Sequence, residues 1–380
     1  MVNKSKPLIS VILPCLNEAA TITIAISWIK QGLQKLSRRY RSEIIIVDNG
    51  STDNSAYLAR KTGVQVIREP RPGYGQALLA GFTRSRGDII IMGDSDATYD
   101  FREIPKLVQA LKSNVDIVLG NRFARAKSRA AIPPLNRIVG NPVLTGLINL
   151  FYGAGISDSQ SGLRALTRDA YRKMDLRTTG MEFASEMIIK TLSHRLTIKE
   201  VPITYYQRRT PSKLSLITDA YRHIQAILLY SPTFLLVIPG LIVFLLGAFL
   251  TVMLLPGPLY LGRIMIDIHT MIIAILLAIL GMHSMLIGIF TRVYLVRVLG
   301  IPGGFLSQYL MKYISTELLL GIGLMLFSLG FLVIVAVTGI WITSGFSALA
   351  RARELIAASG LTIIGFQLTS SALLFGQLKK

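Results

Sequence analysis

Residues 44–55 read IIIVDNGSTDNS: an apolar, β-favouring run followed by turn formers and carboxylates. A strand that ends in Asp48-Asn49-Gly50-Ser51-Thr52-Asp53 brings polar side chains and a pliable backbone to the edge of a sheet. The neighbouring sequence repeats the pattern. Residues 9–13 form another short apolar run, closed by Pro14-Cys15-Leu16-Asn17-Glu18. Between the two, Ile22, Ile26, Ile29 and Leu33 recur at helical spacing within 19–36. Further strands are expected at 64–68, 88–92 and 116–120, with a helix near 76–85. Such alternation predicts an α/β domain with a mainly parallel sheet. Ligands of such sheets bind beyond the carboxyl ends of the strands.

The polar clusters fall at those ends, and each has two readings. Asp94-Ser95-Asp96 follows the strand at 88–92. Two carboxylates two residues apart can share Mg²⁺ or Mn²⁺ with the oxygens of a bound diphosphate, but the same spacing occurs in ordinary turns. Asp48 and Asp53 suit a nucleoside grip, or equally a turn with Asp53 capping the next helix. Gly73-Tyr74-Gly75 precedes a helix, as a plain loop or as a close approach of backbone to phosphate. Taken singly, the structural reading is favoured for each. Gathered at one sheet edge, they favour one nucleotide–metal site.

The rest of the composition describes a second region. Of 380 residues, 51% are hydrophobic and 16% charged, against about 25% charged in ordinary soluble domains. That excludes disorder and argues against one soluble globule. The formal net charge is +20, and the first 230 residues carry +15 of it. A basic half joined to an apolar half suits anionic headgroups or phosphorylated substrates more simply than nucleic acid, for which no motif is present. One cysteine, Cys15, excludes an internal disulfide and a thiolate metal cluster, and fits a reducing compartment. The first apolar run, 8–13, has a strand's length and does not read as a signal peptide.

Four stretches, 233–255, 268–290, 318–340 and 355–378, are long and apolar enough to span a bilayer. The loop at 291–317 carries Arg292, Arg297 and Lys312, and the tail carries Lys379 and Lys380, against Arg263 in the first intervening loop. Arg351 and Arg353 weaken this bias without reversing it, so the N-terminal half is expected on the cytoplasmic side. In the second span, packing or a helix–helix hydrogen bond is favoured over a proton role for His283. Between the halves, Ile217, Tyr221, Ile224 and Leu228 mark an amphipathic helix, lying in the headgroup layer or packed on the first domain. The expected organisation is a catalytic domain at 1–213, an interface helix at 214–232 and four transmembrane helices at 233–380.

The stretches VILPCLNEAATI, IIIVDNGSTDNS, GYGQALLAGF, GDSDATYDF, VLGNRF, DSQSGLRAL, GMEFASEM and EVPITYYQRRTPSKL occur in this order within 8–214. Together they resemble the family 2 glycosyltransferases of the GT-A fold, in the polyprenyl-phosphate branch that includes dolichol-phosphate mannose synthase. The resemblance implies nucleotide-sugar contacts by Pro14, Asn17, Glu18, Asp48, Ser51, Asp53, Gly75 and Asp94. It implies a metal and diphosphate site at Asp94 and Asp96, with Thr98 where some members carry a further ligand. It implies an acceptor-phosphate group of Arg122, Arg137, Asn141, Arg208 and Lys213, with Arg209 a rival to Arg208. Arg122 joins Asp94 and Asp96 as catalytic residues. Asp158 and the i,i+4 pair Glu182 and Glu186 are left unassigned.

The implied partners are a nucleotide sugar, a polyprenyl phosphate and the cytoplasmic membrane. A homo-oligomer is left open. UDP-glucose and GDP-mannose are the leading donors. The basic segment 125–134 is expected to be a flexible lid. A processive polysaccharide synthase is a distant second reading, because neither Trp28 nor Trp341 stands in a Gln-x-x-Arg-Trp motif. A non-catalytic nucleotide-binding scaffold is the third.

Overall fold

The computed structural model describes residues 6–111, 114–209, 221, 224–225, 227–298, 315–346 and 351–379. The chain divides into two compact units, Met1–Leu229 and Tyr230–Lys380. Most of the segment expected as an interface helix, together with Lys213, lies outside the described residues.

The first unit holds a seven-stranded sheet. Its strands are β1 (Leu8–Cys15), β2 (Arg41–Asp48), β3 (Gln65–Arg68), β4 (Ile89–Met92), β5 (Ile117–Asn121), β6 (Arg164–Thr167) and β7 (Ile198–Pro202), in the order β3-β2-β1-β4-β6-β5-β7. β1 pairs in parallel with β2 and β4, β2 with β3, and β5 with β7; only β6 runs antiparallel to its neighbours. All five strands expected from the sequence are present, and β6 and β7 are additions. β1 is buried along almost its whole length, which explains why it reads as a continuous apolar run rather than an alternating one.

Helices cover both faces. One core contains Ile9, Val11 and Leu13 of β1, Ile22, Ile26 and Ile29 of α1 (Ile22–Gln34), and Leu107 and Val108 of α4 (Ile104–Leu111). On the other face α3 (Tyr74–Arg84) approaches closely at Gly81, where a Cβ would lie 2.4 Å from Ile12 Cγ2. Pairing of Cys15 with Asp48, and of Ile12 with Met92, brings the carboxyl ends of β1, β2 and β4 to one edge. The chain leaves β1 toward β2 and β3 and returns on β1's other side as β4, so this edge is a topological switch point. Further helices of the unit among the described residues include α2 (Ser55–Lys61), α5 (Ala126–Ala130), α6 (Asn141–Tyr152), α7 (Arg168–Met174) and α8 (Phe183–Ser193).

Among its described residues the second unit contains four helices long and apolar enough to cross a membrane: α9 (Thr233–Leu254), α10 (Ile268–Arg297), α11 (Thr316–Thr343) and α12 (Ala352–Lys379). Small residues let their backbones meet. A Cβ on Gly247 of α9 would lie 2.4 Å from Ala274 O of α10, and one on Gly365 of α12 would lie 2.3 Å from Phe327 N of α11. Association in lipid depends on this close packing, because burial from water gives no drive there. His283 lies on an exposed face of α10; the helix–helix hydrogen bond is made by its neighbour, from Ser284 Oγ to Leu236 O at 3.1 Å. β8 (Leu259–Leu261) and β9 (Ile264–Ile266) form a hairpin between α9 and α10, and Asp267 beyond it pairs with Arg353 at the start of α12.

Candidate active site

The loops after β1, β2 and β4 are braced against one another. Asn17 sits in the left-handed region with φ 51°, and its Oδ1 accepts from Thr52 N at 2.7 Å and Asp53 N at 3.3 Å. Asn17 N donates to Ser51 Oγ at 3.0 Å, and Ala19 N to Asp53 Oδ2 at 3.0 Å. The other oxygen of Asp53 accepts from Ser55 N and Oγ at the start of α2. Ser51 N donates to Asp48 Oδ1 at 3.1 Å. The side chains singled out as nucleoside contacts therefore form one hydrogen-bonded frame across two loops. Pro14 joins the third loop, its carbonyl accepting from Ser95 Oγ at 2.8 Å.

Cys15 ends β1 inside this frame. It is buried, and burial pushes its thiol up to about 11. Iodoacetamide at pH 8 should therefore leave Cys15 unlabelled in the native protein and modify it only in denaturant, as mass spectrometry would read.

Gly73 and Gly75 do something other than cradle a phosphate. Gly75 N donates to Gly180 O at 3.2 Å and Gln76 N to Thr179 O at 2.9 Å, so these N–H groups at the start of α3 are already engaged. A Cβ on Gly75 would lie 2.4 Å from Thr178 O. The glycine is needed for this clamp. Between them Tyr74, which the sequence reading passed over, donates its hydroxyl to Asp94 Oδ1 at 3.0 Å.

Asp94 and Asp96 sit at the switch-point edge. Burial, then the neighbouring Asp96 charge, raise the Asp94 carboxyl above its ordinary range. Gly162 packs against it, where a Cβ would meet Asp94 Oδ2 at 2.7 Å. Asp96 is held by Thr98, whose Oγ donates to Asp96 Oδ1 at 2.6 Å and whose N–H donates to it at 3.1 Å. Thr98, expected where some members carry a further ligand, is here the hydrogen-bond partner that orients Asp96. Ala97 between them has φ 56°, a strained value for a residue with a Cβ.

A basic side chain reaches this pair from far along the chain. Tyr99 bridges Tyr205, and Tyr206 N donates to Thr98 O at 2.7 Å, so the segment after β7 runs beside the aspartate loop. It delivers Arg208, whose Nε lies 3.4 Å from Asp96 Oδ2 and whose Nη2 lies 3.3 Å from Glu18 Oε1. Arg208 Nε is buried with no hydrogen-bond partner. Two carboxylates, one disfavoured as an anion, with a poorly bonded guanidinium beside them, fit a place for positive charge. Asp94 and Asp96 would hold Mg²⁺ or Mn²⁺. Among the described residues no group of three His, Cys, Asp or Glu side chains could hold a metal ion, so diphosphate oxygens and water would complete the shell.

The remaining predicted residues are placed as follows. Arg122 is buried in a bidentate pair with Asp158, at 2.8 Å from Nε to Oδ2 and 2.8 Å from Nη2 to Oδ1. This gives Asp158 a partner. Glu186 is fully buried, accepting from Thr178 Oγ at 2.6 Å and pairing with Lys190 at 2.8 Å, which makes it structural. Glu182 Oε1 accepts from Gly180 N at 3.1 Å, while its Oε2 is buried without a partner. The segment expected as a flexible basic lid contains α5, pinned by Ser128, whose Oγ donates to Ile203 O and accepts from Tyr205 N, each at 3.1 Å. Arg137 is half-buried on the turn before α6, Asn141 is buried at that helix's start, and Arg209 is exposed.

One surface was not foreseen. From residue 138 to 152 no side chain is charged. Leu144 and Ile148 face inward, while Leu135, Ile138, Val139, Val143 and Leu150 face outward and exposed, Leu150 by 68%. The sequence carries this signal as an uncharged run at 138–157, which its Gly, Pro, Asn, Thr and Ser residues keep from reading as a predominantly apolar span.

Comparison with known proteins places this geometry. The profile of glycosyl transferase family 2 matches residues 10–175, and that of the family 2 C-terminal transmembrane region matches residues 289–379. The low-salt glycan biosynthesis hexosyltransferase Agl6 of Haloferax volcanii is 39% identical over 375 residues, covering 98% of this chain and 89% of that one. The chain belongs to glycosyl transferase family 2. A second relative of this family 2 enzyme, the dolichyl-phosphate hexose transferase of Haloferax volcanii, is 32% identical over 46% of this chain and 74% of its own. Among solved structures, glucosyl-3-phosphoglycerate synthase from Mycobacterium tuberculosis, in complex with Mn²⁺, uridine diphosphate and phosphoglyceric acid, superposes with a TM-score of 0.50. It is 25% identical and covers 59% of this chain and 78% of its own. The enzyme is thus a membrane glycosyltransferase with a GT-A catalytic domain and four apolar helices.

Proposed function

We propose that this glycosyltransferase moves a hexose from a nucleotide diphosphate to a polyprenyl phosphate on the cytoplasmic face of a membrane, with inversion at the anomeric carbon. The observation that carries the reading is Arg208 reaching the Asp94/Asp96 pair at the switch-point edge. Anionic donor and anionic acceptor must meet there, and that requires cationic help.

A phosphate monoester with a second pKa of about 6 is largely dianionic at neutral pH. It is already a nucleophile, so no strong general base is needed. Mg²⁺ or Mn²⁺ bound at Asp94 and Asp96 would supply charge neutralisation to the leaving nucleoside diphosphate. Thr98 and Tyr74 aim the two carboxylates. The Arg122 charge is matched by Asp158, so among the described residues Arg137, the exposed Arg209 and the more weakly held Arg208, paired with Glu18 and Asp96, are the better-placed cations to meet phosphate oxygens. The dolichyl-phosphate relative supports the acceptor class.

The outward apolar stripe at 135–150 suits a lipid acceptor. It begins beside Arg137, so a phosphate held by that arginine would leave its tail over Leu135, Ile138 and Val139. The exposed basic residues Lys127 and Arg129 just before it suit anionic headgroups. Replacing Ile138 and Val143 together by Asp is expected to raise the KM for polyprenyl phosphate in vesicles by about tenfold, the equivalent of ~1.4 kcal/mol. Donor KM should be unchanged.

The direct test supplies purified full-length enzyme with labelled UDP-glucose or GDP-mannose, Mg²⁺ or Mn²⁺, and a polyprenyl phosphate, and then extracts the lipid. One labelled lipid-linked monosaccharide is expected. Polymer would point instead to a processive synthase, and absence of transfer despite tight nucleotide binding to a scaffold.

A further inference from the structure

We propose that Glu18 is a positioning residue that parks Arg208 beside Asp96, where the donor's metal and diphosphate must come, so that donor binding releases Arg208 toward the acceptor phosphate. This rests on the reading of Asp94 and Asp96 as the metal–diphosphate site.

The two carboxylates that flank Arg208 are fixed. Glu18 Oε2 accepts from Thr21 Oγ at 3.0 Å, and Glu18 N donates to Ser55 Oγ at 2.7 Å. Glu18 O accepts from Thr21 N and Ile22 N at 3.0 and 2.9 Å, which fastens the residue to the start of α1. Thr98 takes Asp96 Oδ1, leaving Oδ2 toward Arg208. Arg208 itself is held loosely. Its contacts are 3.3 and 3.4 Å, and its Nε has no hydrogen-bond partner.

Two other arginines in the same unit show what a lock looks like. Arg122 grips Asp158 with two bonds of 2.8 Å, and Arg102 grips Asp100 with two of 2.7 Å. By contrast, Arg208 is retained by charge more than by direction. A divalent cation brings twice the charge to the same carboxylates and takes the position. The backbone anchor at Tyr206 keeps the freed guanidinium close to the site, and its planar fork suits phosphate oxygens. The acceptor's arginine is then supplied only after the donor has arrived, which orders the two substrates.

The experiment uses the purified full chain and Mn²⁺ alone, with free Mn²⁺ read by electron paramagnetic resonance at low ionic strength. Arg208→Ala is expected to bind Mn²⁺ about tenfold tighter than the native protein, because the resident cation is gone, whereas Arg208→Lys stays near native. Arginine labelling with phenylglyoxal, read by peptide mass spectrometry against Arg209 as internal reference, supplies the second measurement. Labelling of Arg208 should rise severalfold on adding Mn²⁺, and should rise without metal in Glu18→Gln. If Arg208→Ala binds Mn²⁺ no tighter and Glu18→Gln leaves labelling unchanged, while Asp96→Asn abolishes Mn²⁺ binding, the parking role is overturned and the metal site stands. If Asp96→Asn binds Mn²⁺ as the native protein does, the metal site itself is overturned and the parking role with it.

Discussion

Asp96→Ala is expected to cut hexose transfer by about a thousandfold while the protein stays folded and in the membrane, a loss on the scale of removing a main electrostatic stabiliser from an active site. The residue is buried, but its partners make the loss local. Its Oδ1 is held by Thr98 and its Oδ2 faces Arg208, so truncation leaves an arginine over a small gap and does not open the hydrophobic core. Thermal melting should therefore move little, and turnover of labelled donor should nearly vanish. Thr98→Val is the companion variant. It keeps Asp96 and removes the 2.6 Å hydroxyl bond, so about a tenfold loss is expected. Native turnover in Asp96→Ala would take this residue out of the reaction.

The loops that carry these residues were legible because strand ends announce themselves. Apolar runs closed by Asn, Asp, Gly and Ser gave β1, β2 and β4 their ends, and the edge of the sheet followed from their order. β6 was not legible. Its four residues begin with Arg164, which is fully buried and donates to the carbonyls of Ser159, Ser161 and Ala184. A charged residue at the head of a short strand breaks the apolar pattern, and its partners come from elsewhere in the fold. β7, Ile198–Pro202, carries two adjacent charged residues, Lys199 and Glu200, and ends in proline, which leaves a weak signal.

Partnership was less legible than location. Asn17, Ser51 and Asp53 were found by their loop chemistry, yet nothing in a linear pattern shows that they bond to one another. Arg208 and Glu18 stand 190 residues apart, and the backbone contacts of Tyr205 with Tyr99 and of Tyr206 with Thr98 bring them together. The outward stripe of α6 stayed hidden for a different reason. Its inner face is also apolar, so the segment reads as an ordinary core helix until one face is seen uncovered. The same uncharged composition serves both faces, and periodicity distinguishes them only when one is polar.

Asp158→Ala is expected to lower stability by about 3–5 kcal/mol, the range for breaking a buried ion pair from one side. Asp158 is fully buried, and its carboxylate accepts Arg122 N at 3.0 Å as well as both guanidinium bonds. Removing it strands a buried cation beneath the Tyr205 ring, 5.3 Å from the ring centre. Chemical denaturation followed by fluorescence would give the change. Activity loss in that variant alone could reflect unfolding, so the decisive protein is the double variant Arg122→Met with Asp158→Leu. Replacing the whole pair by apolar residues of similar size removes both desolvation penalties and should recover most of the stability. If Arg122 also serves the acceptor phosphate, the recovered protein still binds nucleotide but transfers poorly, with the defect in the lipid substrate's kinetics. If it transfers normally, the pair is architectural, and the cations that meet the phosphate are Arg208 and Arg137.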